Sequence, residues 1–342
     1  MSERFHALFE ALCASEALSA ADSEFAFGEI VAGALSEVEI AAFVTALKVK
    51  GETPGEIAGA AQGLRAAAAP FPRPEAPLAD TCGTGGDGQH TVNVSTAAAF
   101  VAAELGVPVA KHGNRSVSSR CGSADVLEAL GVKIDAPAEV SARCLERAGV
   151  CFLMAPQYHP GVRHAMPVRR ALKTRTVFNL LGPLINPARP EWQVMGVYDP
   201  RFCEPLAQTL GLLGCEEALV VHGSGLDELA LHGPTHAARL SGGQVSILEL
   251  NPGDAGLSEA PLSALRGGEP AENAAWLEGL LGGQGVEAHR HAVAFNAGAL
   301  AWIAGRAPDL RAGVARACEV LASDAALKRL QALAACSQEE LA

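Results

Sequence analysis

Apolar positions in the first 69 residues follow a helical repeat, and few stretches alternate as strands do. One helical face is marked by apolar residues three and four apart: Ile40, Phe43, Val44 and Leu47. Ser36 with Glu39 and Thr53 with Glu56 have the form of a capping box, and Pro54 stands at a first helical position. This segment is therefore predicted to be a helical bundle that packs against something larger.

Beyond residue 70 the pattern changes to short apolar runs separated by amphipathic stretches. Prolines at positions 70, 72, 74 and 77 cannot continue a helix, so we predict an extended connector and a domain boundary near residue 70. The apolar runs are typical of strands: residues 107–110, 150–154, 193–197 and 218–221. Strands that alternate with helices predict a mostly parallel sheet covered by helices.

The C-terminal part completes the predicted fold. Residues 229–250 have the pattern of a hairpin with Gly242 and Gly243 at its turn, and the chain from Ala271 onward is again helical. The predicted fold class is therefore α/β, with a small all-helical N-terminal domain at residues 1–69 and a large α/β domain at residues 70–342. In such folds ligands bind at the carboxyl ends of the strands.

Charge and composition exclude several classes of protein. Hydrophobic residues make up 49% of the 342, enough for a large core, and the formal net charge is −12. An acidic chain with a pI near 5.3 argues against a nucleic-acid surface. No uninterrupted apolar span reaches about 18 residues, and the N-terminus lacks the pattern of a signal peptide. We therefore expect a cytoplasmic protein that binds neither nucleic acid nor membrane.

The nine cysteines stand singly, without a Cys-x-x-Cys pair, and their number is odd. Neither a zinc site nor a disulfide framework is indicated, so we expect reduced thiols that mostly fill the core. A phosphorylated ligand would have to overcome the negative charge of the whole chain. A divalent cation would help most, because it cancels phosphate charge and is itself attracted to an acidic protein.

A glycine-rich loop is the first candidate for ligand chemistry. Glycines stand at positions 83, 85, 86 and 88, Asp87 lies among them, and an apolar run at residues 97–105 follows as a predicted helix. Polar residues fill the interval: Thr91, Asn93, Ser95 and Thr96. Such backbone can turn its N–H groups toward a phosphate or diphosphate at a helix N-terminus. Because the loop matches neither the dinucleotide fingerprint nor the P-loop, taken alone it is equally compatible with a tight turn.

A second polar segment follows the predicted strand that ends at Ala110. It contains two cations, a histidine, an amide and a series of hydroxyls: Lys111, His112, Gly113, Asn114, Arg115, Ser116, Val117, Ser118 and Ser119. Ser123 then opens another predicted helix. These side chains can bind phosphate oxygens, and the alternative is a solvated loop capped by Ser123. A position directly after a buried strand favours ligand contacts.

Two further segments carry charge suited to a ligand. Asp227 and Glu228 follow the predicted strand 218–221 and a pair of glycines, an arrangement suited to a magnesium ion that bridges to a diphosphate. An Asp-Glu pair by itself is also common at a helix start. Arg169 can hold a carboxylate in a bidentate geometry, although an arginine on a helix is commonly only solvated.

Taken together, these segments resemble the anthranilate phosphoribosyltransferase family. The resemblance spans nearly the full chain, from residues 46–53 through the Gly83 and Lys111 segments and residues 178–187 to residues 225–228. Their order and spacing are specific as a set. Departures are small: Val92 stands where a bulkier apolar residue is frequent, and Lys173 where glycine is usual. Neither position is an expected contact.

The resemblance implies a reaction and a nucleoside phosphorylase/phosphoribosyltransferase-like fold. The phosphoribosyl group of phosphoribosyl diphosphate (PRPP) would pass to the amine of anthranilate in tryptophan biosynthesis, releasing diphosphate. A helical segment near residues 163–188 would join the small domain, and two copies of the chain would form a homodimer.

The family's functional residues carry over by position. Those implied to bind PRPP are Gly83, Gly86, Asp87, Thr91, Asn93, Val94, Ser95, Thr96, Lys111 to Ser119 and Ser123. Ser95, Asp227 and Glu228 would hold Mg²⁺. Gly83, Asn114, His159 and Arg169 would bind anthranilate, and His112 would lie beside its path. Asp227, Glu228, Arg169 and His112 would form the catalytic set, with His112 more a shape and hydrogen-bond element than a base.

Two alternatives remain open, one of them another enzyme and the other a protein of a different class. A pyrimidine-nucleoside phosphorylase would share the two-domain layout but use inorganic phosphate, and the Asp227-Glu228 pair and residues 178–187 favour the transferase instead. A non-catalytic relative could bind nucleic acid or a partner protein. The net charge of −12 argues against nucleic acid, and the full set of polar segments argues against lost catalysis.

Overall fold

The computed structural model describes residues 2–116 and 120–340 of the chain. It opens with four helices: α1 Glu3–Cys13, α2 Ala20–Val31, α3 Glu37–Lys50 and α4 Pro54–Ala66. Both predicted capping boxes are present, at Ser36 before α3 and at Thr53 before α4. The predicted apolar face of α3 is buried, because each of its four residues is at most 1% exposed. The helical pattern of this segment is therefore confirmed.

The central sheet has seven strands within the described residues: β1 Ala79–Asp80, β2 Val109–Gly113, β3 Val150–Met154, β4 Trp192–Gly196, β5 Glu217–Gly223, β6 Thr235–Ser241 and β7 Gln244–Leu250. Their order is β3-β2-β1-β4-β5-β6-β7. The first five strands are parallel, and β6 and β7 are antiparallel. The predicted fold class and mostly parallel sheet are confirmed.

The strand order reverses between β1 and β4. From β1 the chain builds outward to β2 and β3, and it then returns to the other side of β1 with β4. In open α/β sheets this reversal opens a crevice at the carboxyl ends of the two strands, where ligands bind. The glycine loop follows β1 directly, so the fold places it at this crevice.

The hairpin is confirmed for β6 and β7. Gly242 and Gly243 connect the two strands, and their φ angles of 55° and 77° lie in the region that glycine tolerates best. The predicted start at residue 229 was too early, since β6 begins at Thr235.

The remaining helices cover the sheet: α5 Val94–Glu104, α6 Ser123–Ala129, α7 Ala138–Ala148, α8 Ala155–Tyr158, α9 Met166–Leu172, α10 Phe178–Leu181, α11 Cys203–Leu212, α12 Pro270–Leu281, α13 Glu287–Ile303, α14 Leu310–Leu321 and α15 Ala325–Ser337. The last four helices, α12 to α15, confirm the prediction that the chain from Ala271 onward is helical. Helix α5 is apolar on nearly every side and almost wholly buried, as expected for a central helix. Among the described residues, none of the helices has the length and apolar character that crossing a bilayer requires.

Two apolar cores lie on either side of the sheet. One surrounds α5 and α13, and the other joins the N-terminal helices to α9, α10, α11 and the opposite face of β4 to β6. The helices at residues 166–181 thus pack with the N-terminal bundle, although they follow β3 in sequence. The division into domains at residues 1–69 and 70–342 stays a prediction.

Candidate active site

The glycine loop is tied to the turn that carries the acidic pair. Gly85 has a φ angle of 65°, and its N–H donates to Asp227 Oδ2 over 2.7 Å. Thr84 N–H donates to the Gly196 carbonyl at the end of β4 over 2.8 Å. A β carbon at Gly83 would lie 2.7 Å from Asp227 Oδ2, so a larger residue there would push this carboxylate away from the loop. The loop and the acidic turn therefore form one structural unit.

Helix α5 brings its N-terminus to the same place. It begins at Val94, three residues before the predicted start, so Ser95 lies in its first turn. Ser95 N–H donates to Glu228 Oε1 over 3.2 Å. The first N–H groups of a helix lack intrahelical partners and favour negative charge. This end of α5 already binds one carboxylate and is suited to an anion.

Asp227 and Glu228 do not begin a helix, because they lie in the loop that follows β5. Burial, followed by the nearby Asp87 carboxylate, raises the pKa of Asp227 to about 7. Burial and the adjacent Asp227 raise the pKa of Glu228 to about 8. Three partly buried acidic side chains are thus crowded together, an arrangement that a cation would stabilise.

The donor chemistry of this cluster fits magnesium. Its carboxylates and the Ser95 hydroxyl are oxygen ligands, and Mg²⁺ characteristically takes one or two carboxylates, several waters and substrate phosphates. Over the described parts of the chain, no group of three or more His, Cys, Asp and Glu side chains has the geometry of a protein-only metal site. The pair is therefore suited to a metal that shares its coordination with a ligand rather than to a closed structural site.

Lys111 and His112 are on a strand, which corrects the predicted polar loop. Strand β2 continues to Gly113 instead of ending at Ala110, because its backbone stays paired with β3 through Met154. Lys111 is 3% exposed, and its Nζ donates to the Thr81 carbonyl over 2.8 Å and lies 3.4 Å from Ser95 Oγ. A buried ammonium group therefore stands beside the acidic cluster. Strand β5 likewise extends to Gly223, beyond the predicted residue 221.

His112 and His159 form a buried pair. Their ring centroids are 5.4 Å apart, and His112 Nδ1 donates to the Gly182 carbonyl over 3.0 Å. His112 Nε2 is buried without a hydrogen-bond partner among the described residues. Burial, with His159 nearby, lowers the pKa of His112 to about 3, and burial lowers that of His159 to about 4. Both imidazoles are therefore neutral at pH 7.

Arg169 lies on α9, beside the N-terminal bundle. Its guanidinium carbon is 5.8 Å from the centre of the Phe178 ring, and Nη1 lies 3.8 Å from Met166 Sδ. Burial lowers the pKa of this guanidinium, and among the described residues no nearby charge offsets that effect. A half-buried cation without a carboxylate partner is suited to an anionic ligand.

The segment after β2 is organised by Asp125. Its Oδ2 accepts hydrogen bonds from the N–H groups of Ser116 and Gly122 at 3.0 and 2.8 Å. Arg115 is turned outward and makes two bonds to Glu128, at 2.7 and 2.9 Å. The Ser123 hydroxyl lies 3.4 Å from the carbonyl oxygen of Asn114, whose side chain accepts from Arg115 N–H at 2.8 Å. The predicted contacts Val117, Ser118 and Ser119 lie outside the described residues.

The other residues predicted to bind PRPP lie between the glycine loop and α5. Asn93 donates to the Cys121 carbonyl and accepts from Asn273, which joins this segment to α12. Thr91 forms a bridge with Arg266, and Gly86 accepts a bond from Arg175 through its carbonyl. Val94 and Thr96 are buried in the first turn of α5.

Several residues at the site escaped the sequence prediction. A small cavity beside the acidic pair is lined by Thr81, Gly83, Ser95, Val194, Gly196, Glu228 and Asn296. Asn296 comes from α13, and Asp80 on β1 accepts a hydrogen bond from Asn186 over 2.8 Å. Of these residues, Asn296 is the one that the sequence could have revealed. A buried asparagine is rare in an apolar helix such as α13.

Comparisons with known proteins agree with this architecture. Residues 75–327 match the model of a glycosyl transferase family, a/b domain, and residues 6–68 match the helical bundle domain of the same family. The fold and the site thus define a glycosyltransferase that combines a helical bundle with an α/β domain.

The similarity to individual proteins is closer still. The chain is 63% identical over 334 residues to an anthranilate phosphoribosyltransferase of Sorangium cellulosum, covering 98% of this chain and 96% of the relative. It therefore belongs to the anthranilate phosphoribosyltransferase family, as the sequence predicted. The pyrimidine-nucleoside phosphorylase and the non-catalytic relative are not favoured.

Solved structures of that family superpose over nearly the full chain. The anthranilate phosphoribosyltransferase of Thermus thermophilus aligns with a TM-score of 0.93 and 45% identity, covering 97% of this chain and 99% of the other. The enzyme from Saccharomyces cerevisiae in complex with PRPP and Mg aligns with a TM-score of 0.88 and 28% identity, covering 98% of each chain.

Proposed function

We propose that this chain transfers the phosphoribosyl group of PRPP to the amine of anthranilate and releases diphosphate, as a step of tryptophan biosynthesis. The observation that carries the proposal is the convergence of the glycine loop, the start of α5 and the Asp227-Glu228 turn at the reversal point of the sheet. The likeness to an enzyme solved with PRPP and Mg supports the same donor here.

The donor would be bound by backbone and cations together. In the proposal the N–H groups of the glycine loop and of the α5 N-terminus hold diphosphate oxygens, and the buried Lys111 ammonium faces the same charge. Ser95, Asp227 and Glu228 would hold Mg²⁺, which when bound supplies positive charge against the leaving diphosphate. The segment from Gly113 to Ser116 and Ser123 would bind the remaining phosphate.

The acceptor would approach from the side of the small helical bundle. Arg169 holds the anthranilate carboxylate, while Gly83, Asn114 and His159 border the ring. Holding the weakly nucleophilic amine behind ribose C1 supplies much of the rate, because orientation replaces a bimolecular encounter. His112 contributes shape and one hydrogen bond, since a neutral imidazole with a pKa of about 3 is a weak base.

The proposal also covers the oligomeric state and the cellular compartment of the protein. We expect a homodimer, which the exposed apolar residues Val38 and Val49 on α3 favour, at 78% and 82% exposure. We also expect a cytoplasmic enzyme, and nine cysteines that mostly fill the core are in keeping with a reducing compartment. Sedimentation of the purified protein across a concentration series tests the first expectation.

The decisive assay follows the loss of anthranilate fluorescence with PRPP and Mg²⁺. We expect turnover that disappears when the metal is chelated and that falls by at least about a hundredfold in Asp227→Asn. Glu259→Gln, which changes an exposed carboxylate, is the control and should match wild type. Phosphorolysis of uridine or thymidine with inorganic phosphate, in the absence of anthranilate turnover, would overturn the proposal in favour of the phosphorylase.

A further inference from the structure

His222 at the end of β5 makes a hydrogen bond with each of its ring nitrogens. Its Nδ1 lies 2.8 Å from the Val197 carbonyl, directly after β4. The Gly225 N–H donates to its Nε2 over 3.1 Å. Because a carbonyl can only accept and an N–H can only donate, the ring must be neutral with its proton on Nδ1.

The turn that His222 holds leads into the acidic pair. Gly223 and Leu226 bond each other in both directions, at 2.9 and 3.0 Å, and enclose Ser224 and Gly225. Both enclosed residues have positive φ angles, 48° and 100°. A serine is strained in that region, so the turn needs outside support to persist. The bond that Gly225 N–H donates to His222 Nε2 supplies such support, because His222 lies just outside the turn.

The other bond of His222 reaches the strand that anchors the glycine loop. Val197 follows Gly196, whose carbonyl accepts the Thr84 N–H of that loop. One imidazole therefore connects the turn before Asp227 to the strand end beneath Gly83 and Thr84. This connection is a second tie between the acidic turn and the glycine loop, beside the direct bond from Gly85 N–H to Asp227 Oδ2.

From this geometry we propose that His222 is a positioning residue for the Mg²⁺ and PRPP site. It keeps Asp227 and Glu228 at the depth where they face the glycine loop, and it touches neither substrate nor metal itself. The proposal rests on the proposed function, because it assigns a role toward the cation that Asp227 and Glu228 would hold. Residues that orient metal ligands typically change metal affinity or activity by about 10–100-fold when removed.

The first test measures PRPP binding by calorimetry across a range of Mg²⁺ concentrations. In His222→Ala we expect the Mg²⁺ concentration for half-maximal binding to rise by about tenfold or more, while the KM for anthranilate changes little. His222→Gln, which returns an acceptor to the position of Nε2, should recover most of that loss. The matched control is His236→Ala, since His236 pairs with His222 in the sheet register but is exposed.

The second test needs no variant. Two-bond ¹H–¹⁵N correlation spectra of the wild-type protein report which nitrogen of His222 carries the proton, and we expect Nδ1. A proton on Nε2, or equal Mg²⁺ dependence in wild type and His222→Ala, would overturn the positioning role alone. Wild-type protein that binds no PRPP at any Mg²⁺ concentration would overturn the proposed function itself, and this inference with it.

Discussion

Gly196 at the end of β4 lies so close to the main chain of Asp227 that a β carbon at position 196 would overlap the Asp227 carbonyl. The obstructing atom is backbone, so it cannot be moved aside as a side-chain tip can. Strand β4 therefore sets the depth of the acidic turn, and its last residue has to be glycine. No local sequence pattern marks this contact, because the two residues are distant in the chain.

Gly196→Ala should consequently disable the site more than it harms the fold. We expect kcat/KM for PRPP to fall by at least about a hundredfold, since a displacement of about 1 Å at a reacting centre already costs that much. Steady-state kinetics and thermal unfolding of the same preparation check this. Gly28→Ala is the control, because a β carbon there meets open space within a helix. Gly28→Ala should keep full activity and gain about 0.5–1 kcal/mol of stability. Wild-type kinetics in Gly196→Ala would contradict the role assigned to the contact between Gly196 and Asp227.

Arg169→Ala should separate the two substrates. Because Arg169 is a half-buried cation whose expected partner is the acceptor carboxylate, we expect the KM for anthranilate to rise far more than the KM for PRPP. Losing one charge-assisted bond costs about 2–3 kcal/mol, or roughly a hundredfold in kcat/KM.

The neighbouring Arg170 is exposed and offers a matched control. Arg170→Ala changes the same charge one residue away and should leave both KM values near wild type. Equal increases for anthranilate and PRPP in Arg169→Ala would remove Arg169 from the acceptor site.

Whether an element of the fold could be predicted from the sequence depends on how far apart its interacting residues are along the chain. The capping boxes at Ser36 and Thr53 and the turn at Gly242 were found because all the information lies within a few residues. Strand β1 is only two residues long and carries no apolar run, so it was missed. Without β1 the strand order, and hence the crevice between β1 and β4, could not be derived from the pattern.

The candidate site shows the same limit. Its acidic pair and glycine loop were found as local motifs, but the partners that fix them come from distant parts of the chain, such as Gly196 and Asn296. Lys111 was expected in a loop because its charge ends the apolar run. The strand continues because its backbone stays paired with β3, and the Thr81 carbonyl after β1 accepts a bond from the buried ammonium group. Tertiary hydrogen bonds of this kind are invisible to hydrophobic periodicity.

The two capping boxes should differ in their contribution to stability. Glu56 is fully buried, and its carboxylate accepts bonds from Leu18 N–H, Thr53 N–H and Lys50 Nζ at 2.8–2.9 Å. Glu56→Gln removes the charge that pairs with the Lys50 ammonium at 2.8 Å, and the Lys50 side chain is only 7% exposed. Breaking a buried ion pair costs about 3–5 kcal/mol. Urea unfolding measures the loss.

Glu39 is the matched residue of the other capping box and is only partly buried. Glu39→Gln keeps the same side-chain length and should cost at most about 1 kcal/mol. Equal losses for the two variants would show that burial of the Glu56 pair does not contribute to the stability of the bundle.

The buried histidines predict how stability responds to acid. Burial lowers the pKa of His112 to about 3 and that of His159 to about 4, against an unfolded value of 6.5. Below pH 6.5 the unfolded chain takes up protons that the folded state refuses. The two histidines therefore contribute full stability above pH 6.5, and this contribution is lost as the pH falls toward 4 and then 3. At pH 5 each histidine lowers the free energy of unfolding by about 2 kcal/mol relative to pH 7, because one pKa unit corresponds to about 1.4 kcal/mol.

Asp227 and Glu228 have raised pKa values, so they act in the opposite direction and must be separated from this effect. A comparison of wild type with His112→Asn does so, because the asparagine amide can still donate to the Gly182 carbonyl and does not titrate. We expect wild type to lose about 2 kcal/mol more than the variant between pH 7 and pH 5 in urea unfolding. The exposed His236, changed to asparagine, is the control and should leave the pH dependence as in wild type.

The kcat of His112→Asn at pH 7.5 should stay within about tenfold of wild type. A loss like that of Asp227→Asn would instead make His112 the proton acceptor.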